Sequence, residues 1–299
     1  MTTHSTIADL AYRQGGVILR RQAQEAGLSR EQLRLLVHRG RWLVLHTGVY
    51  LTTGLGPRSE PPLLARLWAA HLRCGPSSVI GFGGAARLLR LQGLPREMPQ
   101  VDVLLPRGRH PRPDIRLRLR VASLGPGEVV RRRGLPTTSA VRTLADLLLR
   151  VPEGQGLCLL DSALHQRLVT AAEVEQAIRY RRGAGAARAL LPLADGRAES
   201  PLESLARLDC IRGGVPPDDL QYPVVDRHGH RLTRTDLCWW RGLRRPLLGD
   251  TEPTGGRPAT AGAAPLVDAE LIRFSRADVE QTGRVAAKVR AALQRLRVD

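Results

Sequence analysis

The chain has 299 residues and a net charge of +18, from 46 basic and 28 acidic residues. This length is enough for two or three domains, and no apolar run approaches the length of a membrane span. The N-terminus lacks the pattern of a secretion signal, so we expect a cytoplasmic protein without a membrane partner. The large positive charge favours polyanionic partners, nucleic acid first.

The charge excess is unevenly distributed along the chain. The net charge is +4 over residues 1–56, +11 over residues 57–195 and +3 over residues 196–299. The four cysteines are far apart and form no C-x-x-C pair, which argues against a zinc or redox motif and predicts buried thiols.

The first 56 residues predict three short helices and a strand hairpin. "STIADLAYRQGG" and "LRRQAQEAGLS" have the spacing of the first two helices, and each ends at glycine. Ser29 and Gln32 form an S-x-x-Q capping box at the start of the third helix, and Gly40 ends it. "RWLVLHTGVYLTT" then predicts two short strands.

The third helix has a polar face that suits DNA. Leu33 and Leu36 are expected to point inward, and the charged residues recur on the other side at i, i+4 and i+8. Three helices and a hairpin are the parts of a winged helix-turn-helix, whose third helix enters the major groove. The predicted DNA-contacting residues here are Arg30, Arg34, His38, Arg39 and Arg41, with His46 beside the wing. The alternative interpretation is a small helical cap whose arginines are merely solvated.

The stretch "LSREQLRLLVHRGRWLVLHTGVYLTT" resembles the N-terminal domain of AbiEi-type antitoxins of type IV toxin–antitoxin systems. The resemblance covers about the first 55 residues and lies in a helix with "L…LV..G", then "W", then "GVY". It implies a winged helix that binds operator DNA and represses its own operon. It also implies a nucleotidyltransferase-type toxin as a possible partner.

The middle segment contains one strictly alternating strand, "DIRLRLRVASL". Arg116, Arg118 and Arg120 are expected to share one face, at a spacing of about 6.6 Å that is comparable to that of phosphates along a nucleic-acid strand. One interpretation is therefore a DNA- or RNA-binding face. The other is an edge strand whose charged face blocks aggregation.

The rest of the middle segment predicts an α/β domain. "QVDVLLP" predicts a strand, while "TTSAVRTLADLLLRVP" and "LCLLDSALHQRLVTAAEVEQAI" predict helices. Arg142 and Asp146 are expected to form a structural ion pair at i, i+4. Both helical stretches resemble the middle part of long AbiEi-related chains.

The C-terminal segment predicts a helix, a hairpin and two further strands before a last helix. This order resembles the small Vsr-like nuclease domain, which has a restriction-endonuclease-like fold. The resemblance implies that Asp236, Asp250 and Glu252 would bind Mg²⁺ and act in catalysis. Glu199 and Glu203 on the first helix are further candidate ligands.

The acidic pattern departs from that family. Asp250 and Glu252 form a D-x-E pair, the reverse of the E-x-D order in that family, and Pro253 replaces the usual glycine. A Gly/Ala/Pro-rich linker at 253–270 stands where relatives have a basic helix. We therefore expect no cofactor unless the site is functional, and prefer the interpretation of surface acids beside a remnant, degenerate nuclease fold. The alternatives are a decayed nuclease kept as a scaffold and a local frameshift in the gene.

The sequence thus predicts an α+β multi-domain protein. Its parts are a winged helix-turn-helix at 1–56, a basic α/β middle domain at 57–195 and a degenerate endonuclease-like domain at 196–299. The predicted function is a DNA-binding transcriptional repressor, with a metal-dependent endonuclease as the alternative.

Overall fold

The computed structural model describes residues 3–52, 60–109, 111–226, 228–252 and 268–298. By their internal contacts the residues divide into unit 1, comprising 1–90 and 95–146, and unit 2, comprising 91–94 and 147–299. Among the described residues, no helix has both the length and the apolarity needed to cross a membrane. The division into three predicted domains stays a prediction, and most of the predicted linker lies outside the described residues.

Unit 1 begins with three helices and a three-stranded antiparallel sheet. These elements are α1 (Thr3–Arg13), β1 (Val17–Leu19), α2 (Arg20–Glu25), α3 (Arg30–His38), β2 (Leu43–His46) and β3 (Val49–Leu51). The strand order is β1-β3-β2. The helices pack on the sheet through a core that includes Ile7, Ile18 and Trp42.

The remainder of unit 1 contains a five-stranded mixed sheet. Its elements are α4 (Leu63–Cys74), β4 (Val79–Ile80), α5 (Phe82–Leu88), β5 (Val101–Leu105), β6 (Leu117–Val121), β7 (Val129–Arg132), β8 (Leu135–Thr138) and α6 (Ala140–Leu147). The strand order is β6-β5-β4-β8-β7, so β6 and β7 are the two edge strands.

Helix α4 joins the two sheets of unit 1. Ala65 and Ala69 pack against Leu45 and Val49 of the N-terminal sheet. The adjacent side of the helix, including Leu67, packs against the five-stranded sheet. The N-terminal helices and the first half of the middle segment therefore share one folded unit.

Unit 2 combines a helical layer with a four-stranded sheet. Its elements are α7 (Glu153–His165), α8 (Ala171–Ile178), α9 (Ala184–Leu190), a 3₁₀ turn (Leu191–Leu193), α10 (Pro201–Arg212), β9 (Asp219–Val225), β10 (Arg231–Trp239), β11 (Leu247–Thr251), β12 (Glu270–Phe274), α11 (Arg276–Glu280) and α12 (Arg284–Val298). The strand order is β12-β11-β10-β9. Strands β9 to β11 are antiparallel, and β12 runs parallel to β11.

Helices α10 and α12 cover one face of this sheet. Cys210 and Val289 pack there against Leu237, Trp239 and other buried side chains of the strands. Trp239, the last residue of β10, is buried, whereas Trp240, which follows it, is exposed. The four cysteines are buried free thiols, also as predicted.

Several sequence-based boundaries were wrong. The strand β1 was not predicted, because its three residues are too few to show an alternation. Thr137 and Thr138 end β8 rather than begin a helix. Strand β6 begins at Leu117, so Arg116 precedes it.

Candidate nucleic-acid interface and acidic cluster

Helix α3 has both of the end signals predicted from the sequence. The hydroxyl of Ser29 accepts the N–H of Gln32 at 3.1 Å, and the Gln32 side chain accepts the N–H of Ser29 at 2.9 Å. Gly40 follows the helix with φ +67°, a conformation that glycine adopts without strain. The capping box and the glycine stop are therefore confirmed.

The two faces of α3 also divide as predicted. Leu33 is buried, and Leu36 and Val37 pack against the same core. The predicted DNA-contacting residues on the helix and in the following turn are all exposed: Arg30, Arg34, His38, Arg39 and Arg41. Among the described residues none of them forms an ion pair with an acidic side chain, so their charge is available to an external anion.

His46 ends β2 directly before the turn to β3, beside the wing as predicted, but its side chain does not lie on this exposed surface. Its side chain is only 4% exposed, and its ring lies 2.7 Å from the Asp114 carboxylate. Burial lowers the pKa of His46, although Asp114 opposes this change. A neutral ring that donates its Nδ1–H to Asp114 is the arrangement consistent with these contacts.

The three arginines of the alternating segment do not form a ladder of free charges. Arg116 donates to the carbonyl of Leu45, and Arg118 donates to the side-chain oxygen of Gln100 at 2.8 Å. Arg120 pairs with Asp102 at 2.7 Å and stacks over the Phe82 ring. Since β6 is an edge strand, the structure supports the edge-strand interpretation of this charged face.

These contacts leave the three arginines unequal as candidate nucleic-acid ligands. Arg118 is exposed and its partner is neutral, so its positive charge is uncompensated. Arg120 is largely neutralised by Asp102. A role for Arg116, Arg118 and Arg120 in nucleic-acid binding stays a prediction. Arg142 pairs with Asp146 at 2.9 Å, which confirms their structural ion pair.

In unit 2, Asp236 and Asp250 lie side by side on β10 and β11, next to the register pair Leu237–Gly249. Asp236 accepts the N–H and O–H of Thr251 at 2.9 and 2.8 Å. Asp250 accepts the O–H of Thr235 at 2.8 Å and the N–H of Asp236 at 3.3 Å. Both carboxylates are therefore engaged by the protein itself.

Glu203 of α10 lies near Asp236, one of these two aspartates. Glu203 is buried and accepts the N–H of Glu199 at 2.9 Å and the amide of Gln221 at 2.7 Å. Burial, and then the negative charge of Asp236, raise the pKa of Glu203 to about 7. Glu199 pairs instead with Arg234 at 2.7 Å.

The acidic residues of this cluster differ in how they are placed. Mg²⁺ takes oxygen ligands in near-octahedral geometry, usually one or two carboxylates together with water. Within the described ranges, no three His, Cys, Asp or Glu side chains are grouped so that they could hold a metal ion. Glu252 is exposed and accepts the N–H of Arg276 at 3.1 Å. We therefore assign no catalytic step to Asp236, Asp250 and Glu252, whose catalytic role stays a prediction.

The basic loop between β5 and β6 was not among the predicted binding residues. Its sequence, "PRGRHPRPD", ends at Asp114, the partner of His46. The signal was present as three arginines in a Pro/Gly-rich stretch. The position of the loop beside β2 could not be read from the sequence, because 68 residues separate His46 from Asp114.

Comparison with known proteins places the N-terminal elements in a family. Residues 5–53 match the family described as "Transcriptional regulator, AbiEi antitoxin", which confirms the family predicted for the first domain. The chain is also 35% identical over 217 residues to the uncharacterized protein Rv2248 of Mycobacterium tuberculosis (strain ATCC 25618 / H37Rv), covering 71% of this chain and 75% of that protein. The uncharacterized protein MT2308 of strain CDC 1551 / Oshkosh matches with the same values.

A solved structure has a weaker likeness to this chain. The crystal structure of the RV2827C protein from Mycobacterium tuberculosis has a TM-score of 0.43 and 18% sequence identity, covering 75% of this chain and 84% of that one. The predicted resemblance of the C-terminal segment to Vsr-like nucleases stays a prediction.

Proposed function

Since this chain belongs to one family with the two mycobacterial proteins and carries an AbiEi antitoxin-type regulator domain at its N-terminus, we propose that it is a DNA-binding transcriptional repressor. Its first domain acts as a winged helix, and α3 enters the major groove of an operator upstream of its own gene. The observation that carries this proposal is the exposed basic face of α3.

The order of the N-terminal elements supports this role. Helix, strand, two helices and two strands, with β1 at one edge of the sheet beside β3, is the arrangement of a winged helix. In such a domain the N-terminal part of the third helix contacts base edges. Arg30 is the first residue of α3 and Arg34 lies about one turn further on, and arginine is suited to guanine and phosphate alike.

The charge of unit 1 supports the same partner. Its sequence contains 23 arginines and nine acidic residues, a net charge of +14, whereas unit 2 has a net charge of +4. A positive surface of this size accelerates association with DNA and adds affinity that does not depend on sequence. Recognition of a specific DNA sequence then depends on α3.

The proposed protein partner is a nucleotidyltransferase-type toxin encoded beside the gene. This step rests on the resemblance to AbiEi antitoxins and not on a surface of the chain. Co-expression of the adjacent reading frame would test it, since an antitoxin should relieve the growth arrest that its toxin causes.

The decisive experiment is a titration of DNA from upstream of the gene and of a scrambled duplex at several salt concentrations. We expect a preference for the upstream DNA that persists as salt rises, because base contacts are less salt-sensitive than phosphate contacts. The double variant Arg30→Ala/Arg34→Ala should lose about 1–3 kcal/mol of preference for each base contact removed. Unchanged affinity and preference in that variant would contradict the placement of α3 in the groove.

The second candidate function, a metal-dependent endonuclease, stays an alternative for unit 2. Plasmid nicking that requires Mg²⁺ or Mn²⁺ and disappears in Asp236→Asn would establish it. We propose instead that this part of the chain is a scaffold, because hydrogen bonds within the protein engage both aspartates.

A further inference from the structure

The loop between β5 and β6 presents three arginines to solvent. Residues 106–109 form a turn in which the N–H of Arg109 donates to the carbonyl of Pro106 at 3.3 Å. Gly108 has φ +82° in this turn, a value that favours glycine. Arg107, Arg109 and Arg112 are exposed, and among the described residues none of them pairs with an acidic side chain.

The end of this loop is attached to the strand that leads into the wing. The Asp114 carboxylate lies 2.7 Å from Nδ1 of His46 and accepts the backbone N–H of Arg116 at 2.9 Å. Arg116 in turn donates to the carbonyl of Leu45. Burial opposes ionisation of Asp114, but these donors hold its pKa below the usual value. Asp114 therefore stays an acceptor at neutral pH and holds the loop beside β2.

The start of the loop lies at the C-terminal end of α4, which is also next to the wing. The guanidinium of Arg109 is 3.9 Å from the position that a Cβ atom at Gly75 would occupy. Arg73, in the last turn of the same helix, is close enough to His46 to lower its pKa by charge repulsion. The turn between β2 and β3 follows His46 directly. The arginines near His46 and at the end of α4 therefore lie close to this turn.

We propose that Arg107 and Arg109 bind backbone phosphates of the DNA beside the wing, as a second contact outside the winged helix. The proposal rests on the proposed function, because it takes the α3 face and the wing to be seated on DNA. The loop extends the footprint along the duplex and contributes affinity without sequence preference. The positive charge at the C-terminal end of α4 would also stabilise the helix dipole, and the test must separate the two effects.

The test compares two double variants of the full chain that remove the same charge. Arg107→Ala/Arg109→Ala alters the loop, and Arg132→Ala/Arg133→Ala alters exposed arginines of the β7–β8 hairpin, at the opposite edge of the sheet from β6. Binding to upstream and scrambled duplexes is measured between about 50 and 200 mM salt, with melting temperatures of each variant.

We expect the loop variant to show a salt slope shallower by about two, one for each lost phosphate contact. Its affinity should fall on the order of tenfold at low salt, equally for both duplexes. The hairpin variant should keep the wild-type slope. Arg107→Lys/Arg109→Lys should restore the slope, because counterion release depends on charge rather than on side-chain geometry.

Other results would overturn the proposal. Equal effects of the two double variants would mean that net charge alone matters, and a lower melting temperature with an unchanged slope would mean a structural role. If wild type binds the upstream DNA and Arg30→Ala/Arg34→Ala weakens it while the loop variant does not, only the loop contact fails. If wild type binds no DNA, the proposed function fails as well.

Discussion

Glu203 has a carboxyl group that is buried in unit 2, where its surroundings disfavour the ionised form. It is 7% exposed, near the negative charge of Asp236, and accepts hydrogen bonds from Glu199 and Gln221. Burial disfavours the charged form of an acid, and a neighbouring carboxylate disfavours it further. The residue therefore couples protonation to stability near neutral pH.

The Glu203→Gln variant tests this coupling. The pKa is about 7 in the folded chain against an ordinary value of 4.5, so the folded state binds the proton more tightly. The stability from this group is complete below about pH 4.5 and is lost as pH rises to about 7 and beyond, by ~3 kcal/mol in total. We expect the free energy of unfolding of Glu203→Gln, measured in urea from pH 4 to 8, to lack this decline.

The matched control is the same substitution at the exposed Glu252. A decline with pH that is identical in wild type, Glu203→Gln and Glu252→Gln would assign the effect to other groups. The result also bears on the acidic cluster, because a carboxyl group that is half protonated at neutral pH is a poor metal ligand.

At the scale of single elements, α3 shows how far local signals reach. Its start, its stop and its inward face were all predicted correctly, since a capping box, a glycine and an apolar stripe act within a few residues. The alternation of β6 was read correctly as a strand, but the partners of its arginines were not. Gln100 and Asp102 lie on the neighbouring strand or just before it, and the sequence of one strand does not show which other strand it pairs with.

Replacing Ser29 by Ala separates the stability of α3 from its proposed contacts with DNA. The hydroxyl satisfies one backbone N–H at the start of the helix, and its loss should cost about 1 kcal/mol of unfolding free energy. DNA affinity at a temperature well below the melting transition should change little. A loss of affinity as large as that of Arg30→Ala/Arg34→Ala would show that DNA binding depends on the order of the helix start rather than on the two arginines.

At the scale of the whole molecule, the positive charge is concentrated in one of two units. Unit 1 has most of the excess, whereas unit 2 is closer to neutral because acids accompany its arginines. The effect of net charge on DNA binding can therefore be distinguished by experiment from the effect of the charges in unit 1.

The triple variant Arg179→Ala/Arg182→Ala/Arg188→Ala makes this distinction. These arginines are exposed in unit 2, and their removal lowers the net charge by three. We expect the affinity for the upstream DNA to stay within about twofold of wild type and the salt slope to stay within about 0.3, because the proposed phosphate contacts all lie in unit 1 and the slope counts phosphate contacts. A slope shallower by two or more would place a DNA contact in unit 2 and contradict the assignment to unit 1.

The sequence by itself determined the local features of this protein. It determined the three N-terminal helices and their ends, the resemblance of the first domain to AbiEi antitoxins, the buried thiols and the excess of positive charge. Each of these depends on residue type or on short spacing, and both are visible in one chain.

The tertiary structure decided which charged groups are free. It buried His46 against Asp114, paired Arg120 with Asp102, engaged Asp236 and Asp250 in hydrogen bonds, and left the α3 face and the β5–β6 loop exposed. These outcomes depend on pairings between distant residues, and the energy of a charge is set by its neighbours and its burial rather than by its place in the sequence.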